Sequence, residues 1–175
     1  MTAIQQEQIV QAQAGDRAAF EALFEAYRRP IFKLLLGLLH SPEDAADACQ
    51  ETFLRAWVYL ARLRDPAAFP IWLQRIAIRV CRDRSPAIPV SPLPEEGSEV
   101  SDPRAEKAID GVLTRFDVQR ALQQLPLEQR IATVLRFLHG LSYAEIAEAL
   151  DCPIGTVMSR LYYARRTLQR LLQDG

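Results

Sequence analysis

Residues 142–161 read "SYAEIAEALDCPIGTVMSRL", two short helical patterns meeting at a corner. Ser142 and Glu145 stand at the interval of a capping box, in which the hydroxyl accepts from the third helical N–H and the carboxylate reaches back. Tyr143, Ile146, Ala147 and Leu150 then recur at helical spacing. The residue before a proline avoids the α region, so the first helix is expected to stop at Asp151-Cys152. The second is expected to begin at Pro153, since proline is tolerated in a first turn. In it Val157, Leu161, Ala164, Leu168 and Leu171/Leu172 form one apolar stripe, while Gly155, Ser159, Tyr162, Tyr163, Arg166 and Arg170 face the other way. Two readings fit this fragment. A helix packed on another, with a small first turn and Arg and Tyr further along, can enter a major groove and offer its N–H groups to phosphate. An ordinary αα-hairpin with a solvated face has the same local pattern.

The rest of the chain narrows the choice. It has 175 residues, 49% hydrophobic and 25% charged, a globular composition with room for one or two small domains. The first residues, MTAIQQEQIVQAQAGD, are polar and Gln-rich rather than a secretory leader. The most apolar run, Ile31 to Leu38, contains Lys33 and is too short to span a bilayer. A cytoplasmic protein without membrane insertion is the expectation. Cys49, Cys81 and Cys152 are scattered, with only His40 and His139 beside them, so neither a disulfide framework nor a metal site is expected.

The net charge of −1 looks wrong for a nucleic-acid binder, but it is unevenly spread. Residues 1–84 carry 11 basic and 10 acidic groups, residues 113–175 carry 8 and 6, and residues 85–112 carry 2 and 6. An acidic middle therefore masks a mild positive bias at both ends. Any DNA binding by the chain alone should be weak, because phosphate neutralisation supplies most of the affinity. The middle segment is rich in Pro, Ser and acid and reads as a linker. Both flanks have helical periodicity and no convincing strand. The expected fold is all-α: two small helical domains, residues 1–84 and 113–175, joined by a flexible linker, 85–112, with a helix-turn-helix in the second.

The first domain holds two informative helices. Ser41-Pro42-Glu43-Asp44 is a start signal with a cap, a proline and first-turn acids. Beyond it Ala45, Cys49, Phe53, Ala56 and Leu60 line one face, and Asp47, Gln50, Glu51 and Leu54 another. A leucine in a polar stripe fits a partner surface, though a single exposed Leu is also ordinary. In FPIWLQRIAIRVCRDR (69–84), Leu73, Ile76, Ala77 and Val80 are expected inward. Arg75, Arg79 and Arg82 fall on the other side, with Trp72 at their edge and no acids between them. Such a stripe can bridge phosphates, and a nearby indole can stack a base. For Trp72 itself, the high average burial of tryptophan favours a place in the core.

Together these segments resemble a known set. DAADACQETFLRAW resembles the core-polymerase-binding helix of bacterial RNA polymerase sigma factors, and AFPIWLQRIAIRVCRDR the promoter-melting helix that follows it. The stretch from Leu125 to Leu168 resembles their C-terminal helix-turn-helix. With two domains and a short linker, the chain is similar to the extracytoplasmic-function (ECF) group from about Asp16 to Leu172. The resemblance implies binding to core RNA polymerase at the flap and at the clamp helices of the largest subunit, with Asp47, Gln50, Glu51, Leu54 and Arg55 at the clamp contact. It implies contact with the minus-ten promoter element through Trp72, Arg75, Arg79 and Arg82. It implies reading of the minus-thirty-five element by the helix from Pro153, with Ile154, Gly155, Thr156, Ser159, Arg160, Tyr163 and Arg166 near DNA. Arg160 lies nearer the core edge than Ser159. An anti-sigma factor is a further implied partner; no cofactor, metal, small-molecule substrate or catalytic residue is implied.

Three positions depart from the family pattern. Met158 stands where a basic residue is frequent, Arg79 where Asn is frequent, and Ser85-Pro86 where a basic run often continues. Promoter preference is therefore expected to differ, while Met158 fits the edge of the core. A stand-alone helix-turn-helix regulator with a sensing or dimerising front domain is the rival reading, disfavoured by the low net charge and the Asp47/Gln50/Glu51/Leu54 stripe. Two histidines, no glycine-rich phosphate loop and no clustered loop carboxylates leave no nucleophile–base set for an enzyme.

Overall fold

The computed structural model describes residues 3–39, 41–84 and 115–173. The expected linker, 85–112, lies outside them, as do the side chains of Val118 and Leu172. The described residues form α-helices with two short 3₁₀ turns and no strand, in the order α1 (Ala3–Gln13), α2 (Arg17–Leu38), α3 (Pro42–Tyr59), α4 (Phe69–Arg84), α5 (Arg115–Gln123), α6 (Leu127–Phe137), α7 (Tyr143–Leu150) and α8 (Ile154–Gln173). Helices α1–α4 make one helical domain and α5–α8 a second that contains the helix-turn-helix.

Local chemistry sets the helix starts. Asp16 caps α2, accepting from the N–H groups of Ala18 and Ala19 at 2.8 and 3.2 Å. Ser41 caps α3 by accepting from Asp44 N–H, with Pro42 in the first turn. Asp65 caps the 3₁₀ turn Pro66–Ala68 that leads into α4. The first core is built from fully or nearly fully buried Leu23, Leu34, Leu35, Phe53, Leu60, Phe69 and Leu73. Phe24 meets Phe53 edge-on at 4.8 Å, and Tyr27 meets Phe69 at 5.2 Å. The second core gathers Leu125, Ile131, Leu135, Ile146, Val157 and Ala164.

Two local expectations are corrected, and one helix is added to them. The polar N-terminus forms α1, whose Ile9 is fully buried and whose Gln13 donates to the carbonyls of Leu60 and Leu63. Ile76 is only partly buried; Ile78 takes the inward place on α4, because the buried arc of the helix also takes in Phe69 and Cys81. Helix α8 starts at Ile154, one residue after Pro153, whose carbonyl accepts from Thr156 N–H at 2.9 Å and so caps the helix from outside. The break before it is made by Asp151, at φ 51° in the left-handed region, while Cys152 N–H returns to the Ala147 carbonyl. The capping box of α7 is complete: Ser142 Oγ accepts from Glu145 N–H, and Glu145 Oε2 accepts from Ser142 N–H at 2.8 Å.

The two domains pack together. The C-terminal end of α2 meets α5 and α6, and α4 meets α7. The last carbonyls of a helix have no partner within it. Here the Leu36 and Leu39 carbonyls accept from Gln119 and Gln123 of α5, and the Leu38 carbonyl accepts from Arg130 of α6 at 2.7 Å.

Candidate nucleic-acid interface

Helix α3 turns a mixed surface outward. Asp47 and Gln50 are exposed, and Leu54 is 68% exposed. Trp57 and Val58, at 37% and 67% exposure, continue it at helical spacing into a contiguous apolar strip. Large exposed apolar strips of this kind mark partner surfaces. The sequence signal for this extension beyond Leu54 is the i, i+3, i+4 interval from Leu54 to Trp57 and Val58. Glu51 and Arg55 play a different local part. Arg84 donates two hydrogen bonds to Glu51 at 3.1 and 2.7 Å, and Arg55 bridges Glu51 at 2.6 Å and Asp83 at 2.7 Å. This ionic ladder clasps α3 to α4. The hydrogen bond from Arg84 holds the Glu51 carboxyl below the usual glutamate range, with Arg55 adding to it against the opposing effect of burial.

An open recess of about 800 Å³ lies between the end of α3 and α4, lined among others by Tyr59, Arg62, Trp72, Arg75 and Arg79. Trp72 is half-buried: one side leans on Phe69 at 5.8 Å between ring centroids, and it also lines the recess. The Arg62 guanidinium sits over the Tyr59 ring at 5.1 Å. Arginines around aromatic rings make a site suited to phosphate and unstacked bases.

The basic stripe of α4 is not free of acids in space. Arg82 grips Glu128 through two parallel bonds of 2.8 Å, and Arg75 donates to the Glu148 carbonyl and lies 3.5 Å from its carboxylate. Both acids belong to the second domain, so the stripe's freedom from acids along its own helix did not reveal them. Arg79 is exposed and makes no ion pair with the described residues.

At the start of α8, Ile154 and Gly155 are exposed, and nothing approaches the place a side chain on Gly155 would take. Thr156 is half-buried, and the Ser159 hydroxyl donates to its carbonyl at 3.0 Å. Tyr163 meets Tyr162 edge-on at 5.4 Å, and exposed Arg166 lies 5.8 Å from the Tyr162 ring centroid. Arg160 pairs with Glu128 of its own domain at 3.0 Å. One carboxylate thus stands between Arg82 of α4 and Arg160 of α8. Elsewhere the described residues hold no His/Cys/Asp/Glu cluster fit for a metal, and no helix among them is long and apolar enough to cross a membrane. Burial pushes the Cys81 thiol up to about 12, far from a reactive thiolate.

Residues 23–85 match the sigma-70 region 2 family and residues 115–168 the sigma-70 region 4 family. The chain is 36% identical to RNA polymerase sigma-H factor of Pseudomonas aeruginosa, an alignment covering 99% of this chain and 96% of that one. It is 41% identical to ECF RNA polymerase sigma factor SigM of Mycobacterium tuberculosis, over 91% of this chain and 80% of that one. It is 34% identical to the ECF RNA polymerase sigma-E factor of Escherichia coli K12, over 94% and 92%. Among solved structures it is similar to CnrH in complex with the cytosolic domain of CnrY, at TM-score 0.72 and 25% identity over 98% of each chain. It is also similar to RpoE in complex with the anti-sigma factor NepR from Bartonella quintana, at TM-score 0.65 and 26% identity, over 88% of this chain and 96% of that one.

Proposed function

The chain belongs to the ECF group of RNA polymerase sigma factors, and from that membership we propose how its surfaces divide the work of promoter-specific initiation. Residues 1–84 act as the core-binding and minus-ten domain, 85–112 as the linker, and 113–175 as the minus-thirty-five domain. Asp47, Gln50 and Leu54 meet the polymerase clamp, extended by Trp57 and Val58. Glu51 and Arg55 contribute by fixing α3 against α4. The recess around Trp72, Arg75 and Arg79 receives minus-ten DNA, and Arg82, further along α4 and outside the recess lining, joins them. Gly155, Thr156, Ser159, Tyr163 and Arg166 meet the minus-thirty-five element. Arg160 joins them only once released from Glu128.

Sigma factors are non-enzymatic initiation factors, and this chain is assigned no chemistry of its own. It works where the polymerase is, in the cytoplasm. An anti-sigma factor is a natural partner, since RpoE of Bartonella quintana was solved with one.

The observation that carries the division is that α3 and α4 turn chemically different faces outward. One is an apolar strip edged with acid, and the other is an arginine-lined recess. The two should therefore fail separately. Arg75→Ala with Arg79→Ala is expected to cut open-complex formation by about tenfold, because two phosphate-facing charges are lost, while core binding in a pull-down changes by less than about twofold. Equal loss of both contradicts the division.

A further inference from the structure

We propose that Ile154 reads the 5-methyl group of a thymine in the minus-thirty-five element, so that the first turn of α8 selects a T·A pair by apolar contact rather than guanine by an arginine fork. This selectivity rests on the reading of α8 as the minus-thirty-five helix.

The N-terminal residues of a recognition helix are the ones that reach base edges. In the major groove guanine is read by Arg or Lys, whereas the thymine methyl takes an apolar side chain. The start of α8 is poor in the first chemistry. Arg160 is the one cation from Ile154 to Ala164. Its side chain is only 18% exposed and pairs with Glu128. The next cations, Arg165 and Arg166, follow about 16 Å further along the axis from Ile154, and both lie beside the Tyr162 ring. Guanidinium groups that far from the entering end suit backbone phosphates, which position a helix without specifying sequence.

What the first turns offer instead is apolar. Ile154 is 50% exposed, a large aliphatic side chain held in water at the entering end. Half-buried Met158 stands one turn on, at i+4, along the same edge of the helix. Next to Ile154, nothing lies within 4 Å of the place a Cβ on Gly155 would take, so the backbone there can come close to the bases. The Ser159 hydroxyl donates to the Thr156 carbonyl and keeps lone pairs that can accept from an adenine amino group. An exposed isoleucine gains most from an apolar partner, and the thymine methyl is the apolar group that the major groove presents.

The test uses holoenzyme assembled from core polymerase and the full chain, on a promoter selected from a randomised pool. Each thymine of its minus-thirty-five element, on either strand, is replaced in turn by deoxyuridine, which lacks only the methyl group. Binding is measured by competition with the unmodified promoter. At one position or more, deoxyuridine is expected to weaken binding about fourfold, the effect of one methyl group left in water. Ile154→Ala is expected to bind thymine and deoxyuridine alike at those positions, while still preferring the element to a scrambled one. A wild type indifferent to every replacement overturns the proposal, as does a loss that persists undiminished in Ile154→Ala. Equal weakening of Ile154→Ala on thymine, deoxyuridine and scrambled promoters places Ile154 against protein and overturns it too. A wild type that binds the scrambled promoter as well as the element refutes the reading of α8 itself. If Ile154→Ala loses all preference for the element, Ile154→Ser decides, and the same loss there shows that Ile154 holds the helix in place and reads no methyl.

Discussion

Arg130 is the residue whose removal should be felt most widely. It is only 8% exposed and has no carboxylate partner among the described residues. Instead its guanidinium donates to the Gln123 side-chain carbonyl at 2.6 Å, the Gln123 and Leu125 backbone carbonyls at 3.0 Å, and the Leu38 carbonyl at 2.7 Å. Three of these bonds brace the corner between α5 and α6, and the fourth crosses to α2. Burial lowers its pKa, which reflects the desolvation of an unpaired cation. Arg130→Met leaves three backbone carbonyls without their donor. Hydrogen bonds to charged groups contribute roughly 1.5–3 kcal/mol each, and the desolvation cost of the cation is recovered on its removal. The net loss expected is about 3 kcal/mol, well below the simple sum, since methionine refills part of the volume. In a domain of this size about 3 kcal/mol lowers the melting temperature by about 12–24 °C. Scanning calorimetry of the full chain should show that drop in the α5–α8 transition, while the α1–α4 transition moves little. Arg130→Lys should recover only part, because an ammonium cannot reach divergent carbonyls as a planar fork does. A shift of under about 3 °C for Arg130→Met would show that the carbonyls are satisfied by water and that the network contributes little.

Other expectations follow from the same interactions. The Glu51 carboxyl is held below its ordinary value of 4.5, so its contribution to the α3–α4 clasp is present above that pH and is lost as the pH falls through the depressed value. Melting of α1–α4 should accordingly be flat between about pH 7 and 5 and fall below about 4.5, with Glu51→Gln flattening that fall; the same drop in the variant contradicts the assignment. Ser142→Ala removes the α7 cap and should cost about 1 kcal/mol, or about 4–8 °C in the second domain; no change in a thermal melt rules out a stabilising box. Ser159→Ala should alter minus-thirty-five preference in a randomised-promoter selection, and an unchanged preference counts against this placement of α8.

What the sequence disclosed follows from how local each interaction is. Ser41-Pro42 and Ser142–Glu145 are signals within four residues, and both helices start where those residues put them. The bounds of α4, Phe69–Arg84, are those of its arginine-and-apolar pattern. Helix α1 was illegible because its apolar positions are sparse among Gln and Ala, and Ile9 becomes core only when α2 is there to cover it. The partners of Arg82 and Arg75 lie 46 and 73 residues away. No periodicity within α4 encodes them. Gly37 likewise looks like an indifferent residue in a leucine-rich run until Val134 is seen against it. The charge pattern alone showed where cations gather, and only the packing of the two domains showed which are already occupied.

The most direct test of the central claim is run-off transcription with purified bacterial core polymerase on a pool of randomised promoters, with and without the protein. Specific starts that appear only when the protein is added, sharing one minus-ten and one minus-thirty-five sequence, are the predicted result. No added starts, together with no binding to core in a parallel pull-down, would contradict it.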